Sequence, residues 1–268
     1  MRRLRLGMMA GGIPLDPDAQ AFLTAAGITD ATITTAIDTL VTDLKLYGLW
    51  TKLKAIYPFV GGTASTHKFN LKDPQDTNAA FRLVFAGGWT HSATGAQPNG
   101  TNAYADTFYV PNIHSNSQNN SISFYSRTNS NAGQPYDIFA SDGSNTTLRP
   151  FGLIVRYSTN VAYFSNGNLL HLSASNLNGE GFYQGFTDIT NQRLYRNAIE
   201  LNNIAIPTNS FPTLPIYIGA ANNGGTAAFF SNKQCAFASM GGSKLTTTEA
   251  IDYYTAVQAF QTTLGRQV

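Results

Sequence analysis

The stretch that decides the fold is FGLIVRYSTNVAYFSNGNLLHL, which covers residues 151–172. Apolar side chains occupy every second position from Leu153 to Tyr157 and again from Val161 onward, and this period of two is typical of a β-strand. Asn166-Gly167, between the second and third runs, supplies the residue types that a type I′ hairpin turn prefers. The stretch therefore predicts a three-stranded antiparallel meander.

The chain from residue 59 onward has the same character. Short apolar alternations are separated by turn-forming residues about every ten positions. Charged residues make up 12% of the 268 residues and hydrophobic residues 43%, so the polarity comes from Asn, Thr, Ser and Gly. Such a composition is typical of turn-rich all-β proteins, and a chain of this length can form one sandwich or barrel.

Helical patterns flank this β-rich region. Pro17 suits the first turn of a short helix that ends at Gly27, and Thr29 or Asp30 can cap a second helix. The helical pattern continues to Ile56. The apolar stripe predicted for the second helix is Ile33, Ile37, Leu40, Val41, Leu44 and Tyr47.

The C-terminal end is also predicted to be helical. Thr246 and Glu249 have the spacing of a capping box, in which each side chain bonds the backbone N–H of the other residue. We divide the chain into an N-terminal docking arm (1–13), a helical attachment segment (14–58) and a β-sandwich that includes the C-terminal helix (59–268). The apolar face predicted for that helix is Ile251, Tyr254, Val257 and Phe260.

Charge and apolar patterning argue against two kinds of partner. Lys and Arg total 17 against 15 Asp and Glu, and the excess forms no basic face, so nucleic-acid binding is not expected. No run approaches the roughly 18 apolar residues of a membrane span, so membrane insertion is not expected. Cys235 is the only cysteine, and its alternating strand predicts a buried thiol without a chemical role.

The sequence contains no recognisable catalytic or zinc pattern. Hydrolysis of a glycosidic bond needs two carboxyl groups that flank the bond. The three glutamates, Glu180, Glu200 and Glu249, do not share a strand face with a second carboxylate at a spacing of two or four. The four histidines are isolated, without the spacing of a zinc site. We therefore expect a non-enzymatic protein.

Calcium is the one cofactor that the sequence leaves open. Asp137 and Asp142 lie on one loop, and together with Asn145 and backbone carbonyls they could ligate Ca²⁺. Turn aspartates that bond their own backbone are far more common. Our expectation is therefore a protein without a cofactor.

One stretch, from Phe85 to Pro111, combines aromatic and neutral polar residues most densely. Aromatic rings stack on sugar faces, while Asn and Asp side chains bond sugar hydroxyls. The alternative is that Trp89 is a core residue and Asn99-Gly100 a hairpin turn. A second patch with less stacking surface comprises Asn116, Asn119, Asn129 and Tyr125. The candidate glycan-binding residues are Trp89, His91, Asn102, Tyr104 and Asp106.

Several segments carry a family resemblance over roughly residues 15–268. They are LWTKLKAIYPFVGG (49–62), HKFNLKDP (67–74), AFRL (80–83), GGWTH (87–91), LYRN (194–197), IYIG (216–219) and AVQAFQTTL (256–264). These segments resemble bacteriophage structural proteins with a concanavalin A-like, or laminin-G-like, domain. Residues 2–12 also resemble the start of some phage fibre or head-associated proteins.

The resemblance implies a mainly β fold: a concanavalin A-like jelly-roll sandwich of two antiparallel sheets, with N-terminal helices and a C-terminal helix. It implies a protein made in the host cytoplasm and displayed on the virion, with capsid or tail proteins and copies of itself as partners. Some members recognise glycans, so host polysaccharide is a further candidate partner. Arg2, Arg3 and Arg5 are the predicted virion-docking residues, because Arg forms bidentate bonds to carboxylates.

The sequence departs from the family pattern at two points. Asn197-Ala198 replaces the usual Asn-Gly hairpin, and Ala tolerates positive φ poorly. The E-x-D-x-x-E strand of glycosidase members is absent. We therefore predict a non-enzymatic head or tail fibre or decoration protein that can bind host-surface glycan. The alternatives are a carbohydrate-active enzyme acting on bacterial polysaccharide and a structural joining protein without a ligand.

Overall fold

The computed structural model describes residues 14–143, 149–167, 171–207 and 210–268. The predicted docking residues Arg2, Arg3 and Arg5 and the calcium candidate Asn145 lie outside the described residues. Within the described ranges, no helix is both long enough and apolar enough to cross a membrane.

The described residues form five α-helices and seventeen strands. The helices are α1 (Pro17–Ala26), α2 (Ala31–Leu46), α3 (Ala64–His67), α4 (Pro111–His114) and α5 (Thr247–Thr263). The strands are β1 (Leu53–Tyr57), β2 (Val84–Ala86), β3 (Trp89–Ser92), β4 (Gly95–Pro98), β5 (Tyr104–Asp106), β6 (Ser121–Ser126), β7 (Ile138–Ser141), β8 (Phe151–Ile154), β9 (Val161–Asn166), β10 (Leu172–Ser175), β11 (Gly181–Thr187), β12 (Asn191–Arg196), β13 (Ile199–Ala205), β14 (Tyr217–Ile218), β15 (Ala221–Asn223), β16 (Thr226–Ala228) and β17 (Cys235–Gly241).

These strands form a sandwich of two sheets. One sheet has the order β13-β12-β11-β6-β17-β4-β3, with β1 also paired to β17. The other has the order β10-β9-β8-β7-β14-β5-β2, with β15 beside β7 and β16 beside β15. Every described strand pair is antiparallel except β15 with β7. The predicted fold class, a jelly-roll-like sandwich with helices near both ends of the chain, is confirmed.

The elements predicted from local patterns are present. Strand β8 pairs with β9 and β9 with β10, which is the predicted meander. The type I′ turn predicted at Asn166-Gly167 does not form there, because Asn166 ends β9 without the positive φ that such a turn requires at both central residues. Asp30 caps α2 by accepting a hydrogen bond from the backbone N–H of Ile33. Thr246 and Glu249 form the predicted capping box at the start of α5.

Two hydrophobic cores divide the molecule into three layers. Between the sheets, Phe124 and Tyr183 of the first sheet meet Phe164 of the second. On the other side of the first sheet, Phe237 packs with the helices, including Phe260 of α5. The first sheet is therefore buried on both faces, and we call it the covered sheet. We call the second the open sheet.

The helical segment predicted for residues 14–58 differs in two ways from the observed structure. Residues 53–57 form β1 instead of continuing a helix to Ile56, because Gly48 with a φ of +71° follows the end of α2 and β1 then pairs with β17. Phe22 of α1 and Leu40 of α2 are fully buried in the core that the helices share with the covered sheet. The segment is thus built into the sandwich.

The buried face of α5 is rotated by about one residue from the predicted one. Ile251 is 43% exposed, whereas Ala250 and Tyr253 are buried. The small side chain of Ala250 allows close approach to the sheet, and Tyr253 reaches a buried partner, donating to Ser239 Oγ at 2.7 Å. Val257 and Phe260 are buried as predicted.

Two further local predictions are settled by the structure. Cys235 is buried and unpaired, as predicted, and burial raises the pKa of its thiol well above the usual value. At the Asn197-Ala198 hairpin, Asn197 takes the positive φ of +56° and Ala198 does not adopt one. The replacement of Gly by Ala is therefore accommodated without strain at Ala198.

Arg266 ties the C-terminal segment to the covered sheet. Its enclosed guanidinium donates to the carbonyl oxygens of Pro58, Phe59 and Ala236 at 2.6, 2.7 and 2.9 Å, and to Gln261 Oε1 at 2.6 Å. Burial lowers the pKa of Arg266 to about 9. Among the described residues no carboxylate pairs with it, so carbonyl dipoles stabilise the charge.

We expect Arg266→Met to lower the free energy of unfolding by about 3 kcal/mol, because buried carbonyl groups lose their donors. Urea denaturation followed by tryptophan fluorescence measures this change. Gln267→Ala alters the exposed neighbouring residue and should leave the midpoint unchanged. A Met variant with the wild-type midpoint would contradict the role assigned to Arg266.

Candidate functional site

The outer face of the open sheet is the candidate site. The long helices α1, α2 and α5 pack on the covered sheet. In the open sheet Ala105, Ile138 and Ile218 point into the inter-sheet core, so their neighbours along each strand point outward. We call this surface the open face, together with the loop residues in contact with it. Its members are Val84, Tyr104, Asp106, Tyr136, Phe139, Tyr157, Tyr163, Ser165, His171, Tyr217 and Phe229.

At one end of the open face, two tyrosines stack beside a carboxylate. The rings of Tyr104 and Tyr217 are 4.6 Å apart between centroids, with 25° between their planes. Asp106 is the direct cross-strand neighbour of Tyr217 on one side and Val84 on the other. Burial raises the pKa of Asp106 and of Tyr217. Tyr217 is buried at 9% exposure, so the half-buried Tyr104 supplies the accessible ring at this end, next to the acceptor Asp106.

The middle of the open face is a cluster of three rings. Phe139 lies opposite Tyr217 in the sheet, and Tyr136 meets its ring edge-on at 4.6 Å. The ring of Phe229 lies 5.0 Å from that of Tyr136. A Cβ at Gly152 would come within 2.7 Å of Phe139 Cδ2, so only glycine allows this ring to lie close to β8.

Phe229 is held at the surface by a strained backbone. Its φ is +55°, in the left-handed region that bulky residues rarely adopt, at a cost on the order of 1–3 kcal/mol. Its side chain is nevertheless 43% exposed, so burial of the ring does not offset this cost in full. The backbone N–H of Tyr136 donates to the Phe229 carbonyl at 2.9 Å. Strain of this kind is concentrated at binding sites.

A buried ion pair fixes the loop that follows Phe229. Lys233 Nζ lies 3.2 Å from Asp137 Oδ1, and both side chains are fully buried. The same oxygen accepts from Ser231 Oγ at 2.6 Å, while Oδ2 accepts from the backbone N–H of Val155 at 2.7 Å. Asp137 thus connects the loop to β7 and to the end of β8.

The other end of the open face is also aromatic. Tyr163 meets Tyr157 edge-on at 5.9 Å and His171 at 6.0 Å. The Ser165 hydroxyl lies 2.7 Å from His171 Nδ1, and burial lowers the pKa of His171. The rings extend from β5 to β9, across four strand spacings or about 19 Å. The face is longer than a single sugar ring.

The five residues predicted to bind glycan do not form one cluster. Tyr104 and Asp106 lie together on the open face. Trp89 and His91 lie on β3 of the covered sheet, where Trp89 packs against the inter-sheet core and donates its indole N–H to the Ala86 and Tyr104 carbonyls at 3.1 Å. Asn102 is exposed in the β4–β5 turn. Their role in glycan binding stays a prediction.

His91 is paired with a second histidine. Its Nδ1 lies 2.9 Å from Nδ1 of His67, so one ring donates and the other accepts. Burial, with smaller contributions from His91 and Arg266, lowers the pKa of His67 to about 3. His67 Nε2 is buried without a partner. The pair therefore stays neutral at physiological pH.

The carboxylates of the two described calcium candidates, Asp137 and Asp142, already accept hydrogen bonds from protein groups. The Asp137 carboxylate is enclosed by Lys233, Ser231 and the backbone of Val155, and it leaves no room for a cation. Asp142 accepts from the backbone N–H of Thr213 at 2.9 Å. Within the described ranges, no group of three or more His, Cys, Asp or Glu side chains could hold a metal ion.

Sequence reasoning missed most rings of the open face. Tyr136, Tyr217 and Phe229 are distant in sequence and meet only through strand order. One signal was present in β9, where Tyr163 alternates with buried Phe164. The second candidate patch offers no stacking surface, because Tyr125 is fully buried and bonds Gln258 and the C-terminal residue through its hydroxyl.

No protein-family model and no curated protein sequence matches the chain, whereas solved structures do. The sialidase of Trypanosoma rangeli in complex with 2,3-difluoro-KDN has a TM-score of 0.53 at 10% identity, covering 82% of this chain and 39% of that chain. A second match is domain 4 of AbnA, an extracellular GH43 arabinanase from Geobacillus stearothermophilus, in complex with arabinotriose. Its TM-score is 0.46 at 13% identity, and the match covers 75% of this chain and 98% of that chain. A third match is the CBM40 of the Ruminococcus gnavus IT-sialidase bound to α2,3 sialyllactose. Its TM-score is 0.39 at 14% identity, and the match covers 52% of this chain and 83% of that chain.

These similarities concern the fold. The chain spans about a quarter of the NanB sialidase from Streptococcus pneumoniae, with 23% and 27% of those chains covered. Of the structures named here, the Trypanosoma rangeli sialidase alone has a TM-score above 0.5, and its 10% identity supports a shared architecture only. That likeness agrees with the two-sheet sandwich described above.

We expect Asp137→Asn to lower the free energy of unfolding by about 3–5 kcal/mol, because it leaves the Lys233 ammonium buried without a counter-ion. Chemical denaturation measures the change. The double variant Asp137→Asn with Lys233→Met removes the unpaired charge and should recover much of the loss. An Asp137→Asn protein as stable as the wild type would refute the ion pair.

We expect acid to destabilise the protein partly through His67. Its pKa is about 3 in the native state against 6.5 unfolded, so the unfolded state binds more protons between these values. Stability is therefore complete above the unfolded pKa and falls as the pH decreases. Between pH 7 and pH 4 the wild type should lose about 3 kcal/mol more than His67→Leu. Equal losses in denaturation curves at the two pH values would contradict this expectation.

Proposed function

We propose that the protein is a non-enzymatic glycan-binding protein and that the open face is its binding surface. The observation that carries this proposal is the exposed Phe229 ring, held by a strained backbone, among the aromatic residues of the open face. Among the described phenylalanines Phe229 alone is exposed, and a ring held in solvent can stack on a ligand.

The chemistry of the open face suits a sugar chain. Tyrosine rings stack on the C–H faces of sugars, and their hydroxyl groups remain available for hydrogen bonds. Asp106 adds an acceptor beside the Tyr104–Tyr217 stack, and Tyr157 and Tyr163 extend the platform toward the other end. A row of rings about 19 Å long fits several linked sugars.

The absence of catalysis is part of the proposal. Glycoside hydrolysis uses two carboxyl groups, about 5–5.5 Å apart in retaining enzymes and about 6.5–9.5 Å apart in inverting ones. Among the residues that define the open face, Asp106 is the only acidic one. We therefore assign binding without turnover, against the alternative of a carbohydrate-active enzyme.

The biological setting that we propose is a bacteriophage virion. The sequence segments quoted above support it, including residues 49–62 and 87–91. The protein would be made in the host cytoplasm, join the head or tail as a fibre or decoration protein, and assemble with other virion proteins and copies of itself. In that setting the open face would adhere to host-surface polysaccharide.

We expect Tyr104→Ala and Tyr157→Ala each to weaken binding to purified host-surface polysaccharide about tenfold, because each loses a stacking ring. Affinity electrophoresis or calorimetry measures the change. Tyr254→Ala is the matched control, since Tyr254 is half-buried on α5, in the helical layer. Binding that all three variants retain would overturn the site, and release of reducing sugar would favour the enzyme.

A further inference from the structure

Asp106 places a carboxylate on the open face without a cationic partner. Its Oδ1 accepts from the backbone N–H of Phe108 at 2.8 Å, and no described residue donates to its Oδ2. The cross-strand neighbours Val84 and Tyr217 carry no charge at neutral pH. The carboxylate therefore keeps acceptor capacity for a ligand hydroxyl.

The cationic residues close in sequence to residues of the open face already have partners. Lys233 is enclosed with Asp137, and Arg149 is paired with Asp142. Arg156 donates to neighbouring asparagine side chains. Arg82, two residues before Val84, is paired with Asp76. None of these four is free to bind an anionic ligand without giving up an existing partner.

The tyrosines of the open face lie in partly buried surroundings without a neighbouring free cation. Burial raises the pKa of Tyr136, Tyr157 and Tyr217. The neighbours that raise it further are other tyrosines and, for Tyr217, the carboxylate of Asp106. At neutral pH these phenols are uncharged, so Asp106 is the one acidic side chain among the residues that define the open face.

We infer that the open face selects uncharged glycans and rejects carboxylated ones, with Asp106 as the residue that determines this specificity. The inference rests on the proposed glycan-binding function. A sugar hydroxyl can donate to the free oxygen of Asp106. A sugar carboxylate on the Tyr104–Tyr217 stack would instead place a second negative charge beside it, in partly desolvated surroundings and without a neutralising cation.

The test uses a matched pair of probes. A glycan array identifies the neutral oligosaccharide that the full chain binds best, and oxidation of its primary hydroxyls then provides the uronic-acid form of the same backbone. We expect the wild type to bind the neutral probe at least tenfold more tightly. Equal or tighter binding of the oxidised probe would overturn the inference and leave the proposed function intact, whereas binding of no printed glycan would overturn both.

Two variants test the assignment to Asp106. Asp106→Asn should reduce the preference for the neutral probe to threefold or less. Val84→Lys keeps Asp106 in place and adds a cation opposite it on β2, where Val84 is 39% exposed. It should shift the preference toward the oxidised probe at least tenfold relative to its neutral control, Val84→Gln. Unchanged preference in both Asp106→Asn and Val84→Lys would show that Asp106 does not set the specificity.

Discussion

A chain of buried hydroxyl groups fixes the helical layer on the covered sheet, and the arrangement of the molecule depends on it. Tyr253 of α5 donates to Ser239 Oγ at 2.7 Å, and the hydroxyls of Ser239 and Ser123 are 2.7 Å apart. These buried bonds form only when α5, β17 and β6 adopt one register, since an unpaired hydroxyl there would be costly. Because the long helices pack on this sheet, they leave the outer face of the other sheet uncovered.

The open face balances stability against recognition. An exposed apolar surface of this extent would favour aggregation if its rings were all phenylalanines. Phe139 is instead 3% exposed beneath Tyr136, and the half-buried tyrosines at the two ends, Tyr104, Tyr157 and Tyr163, carry polar hydroxyl groups. Phe229 is the exception, and its exposure is maintained by the backbone and by the anchored loop behind it. The surface is therefore held in one conformation, and such preorganisation would reduce the entropy lost in the proposed binding.

Local sequence patterns predicted the elements well, but they did not predict which aromatic residues lie together on the open face. The alternation from Leu153 and the Thr246 capping box involve residues close in sequence, where local preferences decide the structure. The pairing of Tyr104 with Tyr217 depends on strand order, which no local pattern encodes. Trp89 and His91 are residue types found in sugar sites, yet they face the inter-sheet core. On α5, the exposed Ile251 shows that packing distance, and not apolar character alone, selected the buried face.

Arg266 has a consequence for the order in which the chain folds. Its hydrogen bonds to Phe59 and Pro58 join residues 207 and 208 positions apart, so they form only after nearly the whole chain has been brought together. Contacts of such long range carry a large loop-closure entropy and slow the folding of β-rich domains. We therefore expect the hydrogen bonds of this guanidinium to form late in folding, after β17 and the chain around Pro58 have come together.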